Sequence, residues 1–149
     1  MVIQVDSREQ KYDHVTDYFD KHGIKWVRSK CVVADYVNLE NPMVVVDRKQ
    51  NLQEVCGNVG QQHERFTREL QLAKDLGYRL IVLIEEEKIK DLSEVPSWYN
   101  WRLRKYPRAI SGKKLYKIMS TMADEYGVEW MFTTKANCGK RIVELLGGK

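Results

Sequence analysis

The sequence predicts an α/β domain with helices on both faces of a central mixed β-sheet. Three observations carry this. Two near-continuous apolar runs, MVVVDRK (Met43–Lys49) and RLIVLIEEE (Arg79–Glu87), read as strands buried on both faces. Between them Phe66, Leu70, Ala73 and Leu76 share one face of a helix from about Gln61 to Leu76, the crossover that parallel neighbours need. Around this unit, strand-like and helix-like patterns alternate along the chain, with no internal repeat and no dividing linker.

VIQVD (Val2–Asp6) is a short first strand ending in an acid. Val15, Tyr18, Phe19 and His22 then fall on helical spacing, with Gly23 as the stop. IKWVRSK (Ile24–Lys30) alternates apolar and polar, as a half-exposed strand does. CVVADYVNLE is strand-like too, and with the ENP turn at Glu40–Pro42 it makes a hairpin into Met43–Lys49. The piece after Lys49 allows one helical turn or two before Gly57 and Gly60 loosen the chain. Residues 88–112 form an irregular insertion. A helix over Lys113–Tyr126 buries Leu115, Ile118, Met119, Met122 and Ala123 and stops at Gly127. VEWMF (Val128–Phe132) is a last strand, and Asn137–Leu146 a last helix carrying Ile142, Val143, Leu145 and Leu146.

The 149 residues are 43% hydrophobic and 31% charged, the balance of a water-soluble chain forming one domain over residues 1–149. No apolar stretch is long enough for a membrane span, and no secretory signal is visible, so a cytoplasmic protein is expected. Cys31, Cys56 and Cys138 are scattered, without zinc spacing, and read as reduced thiols. His14, His22 and His63 share no metal spacing and read as ordinary surface or helix residues. The net charge of +4 is uneven: residues 1–75 hold 11 basic and 12 acidic side chains, residues 76–149 hold 14 and 9. That balance is compatible with a nucleic-acid partner without requiring one.

The apolar run VVV leads straight into Asp47, Arg48 and Lys49. In a strand, Asp47 and Lys49 share one face and Arg48 takes the other. The acid can hold a divalent ion. The lysine can orient or help deprotonate a water, or stabilise developing negative charge. Asp6 and Asp35 also follow apolar runs, and converge on Asp47 if their strands are neighbours. Three converging carboxylates repel one another without a cation; the plainer alternative is solvated strand ends and caps.

VDSRE (Val5–Glu9), ADY (Ala34–Tyr36) and VVDRK (Val45–Lys49), in that order, resemble the nuclease domain of the XPF/ERCC4-type structure-specific endonucleases. The resemblance covers nearly the whole chain. It implies a restriction-endonuclease-like α/β fold, three layers around a mixed sheet. It also implies Mg²⁺ (or Mn²⁺) as cofactor, and cleavage of DNA at branched, fork or flap structures. Under it, Asp6, Asp35 and Asp47 match the metal-binding acids and Lys49 the catalytic lysine. Arg48 matches the middle of the triplet, with a structural or ion-pairing role. Arg8 and Glu9 belong to the first motif, one pairing with the other or with Arg48. Arg65 resembles a helix arginine near the site that contacts phosphate; the competing role is a surface pair with Glu69, four residues on. Small freestanding members of this group occur in phages and mobile elements, which would place the protein in a host cytoplasm.

The sequence departs from the family pattern in three places. Asp47 stands where the family has glutamate. Ala34 replaces the glycine before the second acid, so the bend there must tolerate a Cβ. Gln53 occupies the position of a further aspartate, with Glu54 one residue on as the possible replacement. No helix-hairpin-helix unit or helicase module is visible, so selectivity must come from the domain's own surface, a homodimer or a partner protein. Ser97–Arg108 mixes Trp98, Tyr99, Trp101 and Tyr106 with Arg102, Arg104, Lys105 and Arg108. Rings that stack on unpaired bases beside cations that meet phosphates make one reading; aromatic cover for the core and a dimer contact are the others. The function implied is a metal-dependent DNA endonuclease. A non-catalytic DNA-binding or scaffold module of the same fold and a four-way-junction resolving nuclease are the alternatives.

Overall fold

The computed structural model describes residues 1–147, so Gly148 and Lys149 of the expected 1–149 unit lie outside the described residues. In chain order the elements are β1 (Val2–Asp6), α1 (Asp13–Lys21), β2 (Lys25–Ser29), β3 (Tyr36–Asn38), β4 (Asn41–Lys49), α2 (Leu52–Val59), α3 (His63–Asp75), β5 (Arg79–Glu85), α4 (Gly112–Tyr126), β6 (Glu129–Thr133) and α5 (Cys138–Leu145). The strands form one sheet in the order β2-β1-β3-β4-β5-β6. β4, β5 and β6 run parallel, β3 is antiparallel to both β1 and β4, and β2 lies parallel to β1 at the edge. This is the mixed sheet expected, with helical connections wherever parallel neighbours demand them.

Side-chain alternation splits the sheet between two cores. Val45, Leu80, Val82 and Ile84 face one side and pack with α2, α3 and α4 through Leu52, Val55, Phe66, Leu70, Leu115 and Met119. Val46, Ile81 and Leu83 face the other and pack with α1 and α5 through Val15, Phe19, Ile142 and Leu146. The Trp130 indole N–H donates to the Met119 carbonyl at 2.9 Å, so the ring is buried without an orphaned donor.

Three local expectations change. CVVADYVNLE is a strand only over Tyr36–Asn38. Ala34 takes a φ of 67°, the left-handed region a strand cannot use, so Cys31–Ala34 turn instead of continuing the strand. The stretch after Lys49 takes the longer of the two lengths allowed, the 8 residues of α2, but Gly57 lies inside this helix instead of loosening the chain; Asn51 starts it, its side chain accepting the Glu54 N–H at 2.9 Å. Leu76 lies past the end of α3, 44% exposed, and does not join Phe66, Leu70 and Ala73 in the core. Among the described residues no helix is long and apolar enough to cross a membrane.

Candidate active site

Four segments meet at one end of the sheet on the α2–α3 side: the end of β1, the turn at residues 31–35, the end of β4 and the inner edge of α3. Backbone bonds set their positions. The Asp6 N–H donates to the Asp35 carbonyl at 2.7 Å, and the Asp35 N–H to the Val46 carbonyl at 3.0 Å. The left-handed Ala34 turns its own N–H toward α3, where Glu69 Oε1 accepts it at 3.1 Å. The family's bend is therefore made here by an alanine. Asp35 Oδ2 accepts the Arg48 N–H at 2.8 Å, which holds this carboxylate beside Asp47. The result is an open, polar cleft of ≈ 490 Å³ bordered by Asp35, Asp47, Lys49, Glu54 and Glu69.

Asp47 and Lys49 share the cleft face as alternation requires, and Lys49 Nζ lies 3.1 Å from Asp47 Oδ2. Glu54 Oε2 stands 4.0 Å from the same ammonium, and its other oxygen accepts the Gln50 N–H at 2.8 Å. The acid one residue beyond Gln53 thus does reach Lys49. The Phe66 ring, 5.5 Å from Nζ, closes Lys49 from below. Burial works to lower the Lys49 pKa, but Asp47, Glu54 and Asp35 together raise it above the usual lysine range. Asp35 moves the other way in charge: burial, then Asp47 beside it, raises its pKa well above the carboxylate range. Glu69 is raised by burial and then by Asp47. The cleft therefore holds more carboxylate than its own cations neutralise, and oxygen donors of this kind suit a hard divalent ion.

Asp6 lies at the same cleft but is otherwise engaged. Its carboxylate receives Arg8 Nε at 3.0 Å and the Cys31 N–H at 2.8 Å. So Arg8 pairs with Asp6, and Glu9 is the partner of Arg48. On the far face of β4 the buried Arg48 guanidinium donates to Glu9 at 2.8 Å, to Glu85 at 3.0 Å and to the Gln10 carbonyl at 2.7 Å. Glu9 also accepts the Tyr36 hydroxyl at 2.8 Å. The ion-pairing role expected of Arg48 is the observed one, and it anchors the strand end that carries Asp47 and Lys49.

His14 is not an ordinary surface residue: its Nε2 sits 2.6 Å from Glu85 Oε2. Ligand atoms of His14, Glu85 and Cys138 lie within 4.8 Å of one another, the one such trio among the described residues, and could hold a divalent ion. Burial acts to raise the Glu85 pKa, but His14, Cys138 and Arg48 hold it below the usual range. Glu85 thus sits on the face opposite the acidic cleft. It follows Ile81 and Leu83 on that face of β5, and the fold, not any local pattern, brings His14 and Cys138 beside it.

Glu69 and Arg68 are the charged cleft residues that sequence reasoning did not single out as such. Glu69 follows Phe66 by three and precedes Leu70, which sets it at the border of the apolar face of α3, and that border was the available signal. The alternative Arg65–Glu69 surface pair does not form, since Glu69 turns to Ala34 and Arg65 stays exposed at the cleft wall. Gln53 points away, donating to Asn100 at 2.6 Å.

Residues 88–112 contain two short 3-10 turns, Leu92–Ser97 and Trp101–Arg104. Buried Asn100 ties them down, donating to the Ile110 carbonyl at 2.8 Å and accepting the Arg102 N–H at 3.0 Å. Trp98 packs on the core, whereas Trp101, Tyr99 and Tyr106 are 62%, 56% and 48% exposed. Arg104 lies over the Tyr99 ring, and Arg102 and Lys105 flank that of Tyr106, at 5.4–5.8 Å. Arg108 is exposed on the same segment. α2 divides the two features: Glu54 faces the cleft, while Gln53 contacts this segment.

A three-layer α/β domain with carboxylates and a lysine at one end of a mixed sheet defines a restriction-endonuclease-like architecture. The ERCC4 domain family model matches residues 5–146, and the chain belongs to that family. Its fold is that of the XPF nuclease domain. XPF from Aeropyrum pernix superposes with a TM-score of 0.70 at 18% identity, over 98% of this chain and 63% of that one. The same protein in complex with DNA gives 0.68 at 19%, over 97% and 62%. The chain thus spans just under two thirds of the length of these structures. A comparison with curated protein sequences finds no match.

Proposed function

We propose that this chain is a divalent-metal-dependent endonuclease that hydrolyses DNA phosphodiester bonds at branched, fork or flap structures. One observation carries the reading: Asp35, Asp47 and Glu69 meet in one cleft, where burial and then Asp47 raise the pKa values of Asp35 and Glu69, and Lys49 stands 3.1 Å from Asp47. Such a group resists full ionisation until a cation arrives to share its charge. Asp35 and Asp47 would hold Mg²⁺ or Mn²⁺, with Glu69 beside them and Asp6 assisting through water. Bound there, the ion supplies Lewis acidity toward a phosphoryl oxygen and acidifies water. The chain supplies the rest. Lys49, kept protonated by its acidic neighbours, orients the attacking water and stabilises negative charge building on the phosphate. Glu54 and the Phe66 ring hold its ammonium in place. Arg48 fixes the strand end from behind.

DNA as the partner is supported by family membership and by the likeness to XPF, whose structure was solved with DNA. Arg65 at the cleft wall suits a phosphate. Trp101, Tyr99 and Tyr106, exposed among Arg102, Arg104, Lys105 and Arg108, suit an unpaired strand crossing α2 from the cleft. The second reading, a non-catalytic DNA-binding module, is favoured by Gln53, whose amide is spent on Asn100 where the family carries an acid.

Labelled fork, flap and duplex DNA incubated with Mg²⁺ and with Mn²⁺ separate the two. Wild type should cut fork or flap, and Asp47→Ala and Lys49→Ala should each cut about 10²–10⁴-fold more slowly. Tight binding of forks without cleavage selects the non-catalytic module. Undiminished cleavage by both variants means that the chemistry lies elsewhere.

A further inference from the structure

The helical wall of the cleft carries charge that the acidic floor does not use. Arg65 and Arg68, three residues apart on α3, are both exposed and both border the cleft. At that spacing their side chains leave the helix as neighbours. Each has a glutamate four residues away, Glu64 before Arg68 and Glu69 after Arg65, and the first is the favourable orientation for a helical ion pair. Neither pair forms, and among the described residues neither arginine enters any ion pair. Every other cation at the cleft is engaged: Arg8 by Asp6, Arg48 by Glu9 and Glu85, Lys49 by Asp47. The wall continues from α3 into the end of α2, where the Asn58 amide donates to Gln62 Oε1 at 3.0 Å. Asn58 Oδ1 is the one buried side-chain polar atom among the described residues without a hydrogen-bond partner.

We infer that Arg68 is a second phosphate-binding residue, gripping the DNA backbone beside the phosphate at the acidic floor, with Arg65 as its neighbour. The inference rests on the nuclease reading and adds to it the line the strand takes, along α3 and toward the end of α2. Free guanidiniums beside uncompensated carboxylates also solve an electrostatic problem. A polyanion approaching Asp35, Asp47 and Glu69 is repelled, and two unpaired arginines on one wall draw it in and set its register. Arg68 touches no reacting atom in this arrangement; it positions.

The test is the salt dependence of binding. Fluorescence anisotropy of a labelled fork, read with Ca²⁺ in place of Mg²⁺ over a range of NaCl concentrations, yields the slope of log Kd against log salt. Arg68→Gln should reduce that slope by about one, the signature of one lost phosphate contact, and Arg68→Lys should restore most of it. In cleavage with Mg²⁺, Arg68→Gln should raise KM while kcat stays within about twofold. Lys140→Gln, an exposed cation on α5 in the opposite layer, removes the same charge and should leave slope and KM unchanged. If wild type cuts DNA while Arg68→Gln keeps the full slope, or changes it no more than Lys140→Gln, this inference is wrong and the nuclease reading stands. A wild type that neither binds nor cuts DNA removes both.

Discussion

Asp35 shows how one side chain is set by what surrounds it. The carboxyl accepts the Arg48 N–H, faces Asp47 and has its pKa raised, first by burial and then by that neighbour. A raised carboxylate pKa means that, above the ordinary value of about 4, the folded state keeps a proton the unfolded chain has released. Its contribution to stability is therefore lost as pH rises through the folded pKa. Asparagine cannot titrate and can still accept the Arg48 N–H. Without divalent ions, Asp35→Asn should gain stability over wild type progressively as pH rises above about 4. Millimolar Mg²⁺ should then narrow the gap by stabilising wild type alone. Melting curves of both proteins from acid to neutral pH check this, and parallel curves would show that Asp35 carries no such strain. The Asp47, Arg48 and Lys49 arrangement was legible because strand alternation is a local rule. The role of Glu69 was not, because it depends on α3 crossing over a turn that only Ala34's left-handed backbone creates.

Elements meet here through glycines where backbones approach closely. Gly112 opens α4, and a Cβ on it would stand 2.6 Å from the Val95 carbonyl oxygen and closer still to that of Trp98. The 3-10 turn at Leu92–Ser97 therefore rests its carbonyls on the start of α4. Gly112→Ala must push these pieces apart and should cost about 1–3 kcal/mol, the range for overpacking a tight contact. Denaturant unfolding reads it directly; an unchanged midpoint would mean that the turn yields freely. Gly139 does the same between α5 and α1, where a Cβ would come within 2.6 Å of Tyr18 Cβ. In the sequence, both glycines look like any helix-end glycine. Their reason is a neighbour distant in the chain. The division of the stretch after Lys49 into α2 and a separate α3 belongs to the same scale. Asn51 caps the helix it starts, and that helix is held by Leu52, Val55 and Val59 packing into the sheet.

At the scale of the whole molecule, the acidic cleft and the aromatic–basic segment lie on either side of α2. Under the proposed function, a DNA with one paired and one unpaired arm would use both, and plain duplex one only. Trp101→Ala should therefore weaken binding of forks and flaps by about 1–3 kcal/mol, the value of one base–aromatic stack, and leave duplex binding almost unchanged. Trp98→Ala should instead lower stability, because Trp98 packs on the core. Equal loss on fork and duplex for Trp101→Ala would place the segment outside strand discrimination. Of the readings open for this segment from the sequence, core cover describes Trp98, while Trp101 is left exposed. Anchoring by Asn100 decides which, a contact made from Gln53 across dozens of residues.

The sequence alone determined the strand order along the chain, the helices apart from the separation of α2 from α3, the two buried runs of the sheet, and the face on which Asp47 and Lys49 stand. These follow from periodicity and caps, which act over a few residues. The tertiary structure decided which acids are free and which are spent. It gave Asp6 to Arg8, Glu9 and Glu85 to Arg48, and Glu69 to the cleft, and it turned Gln53 away while bringing Glu54 to Lys49. A carboxylate's role depends on the charge and the water within a few ångströms of it. Those neighbours come from five separate stretches of chain, brought together only when two cores close on opposite faces of one sheet.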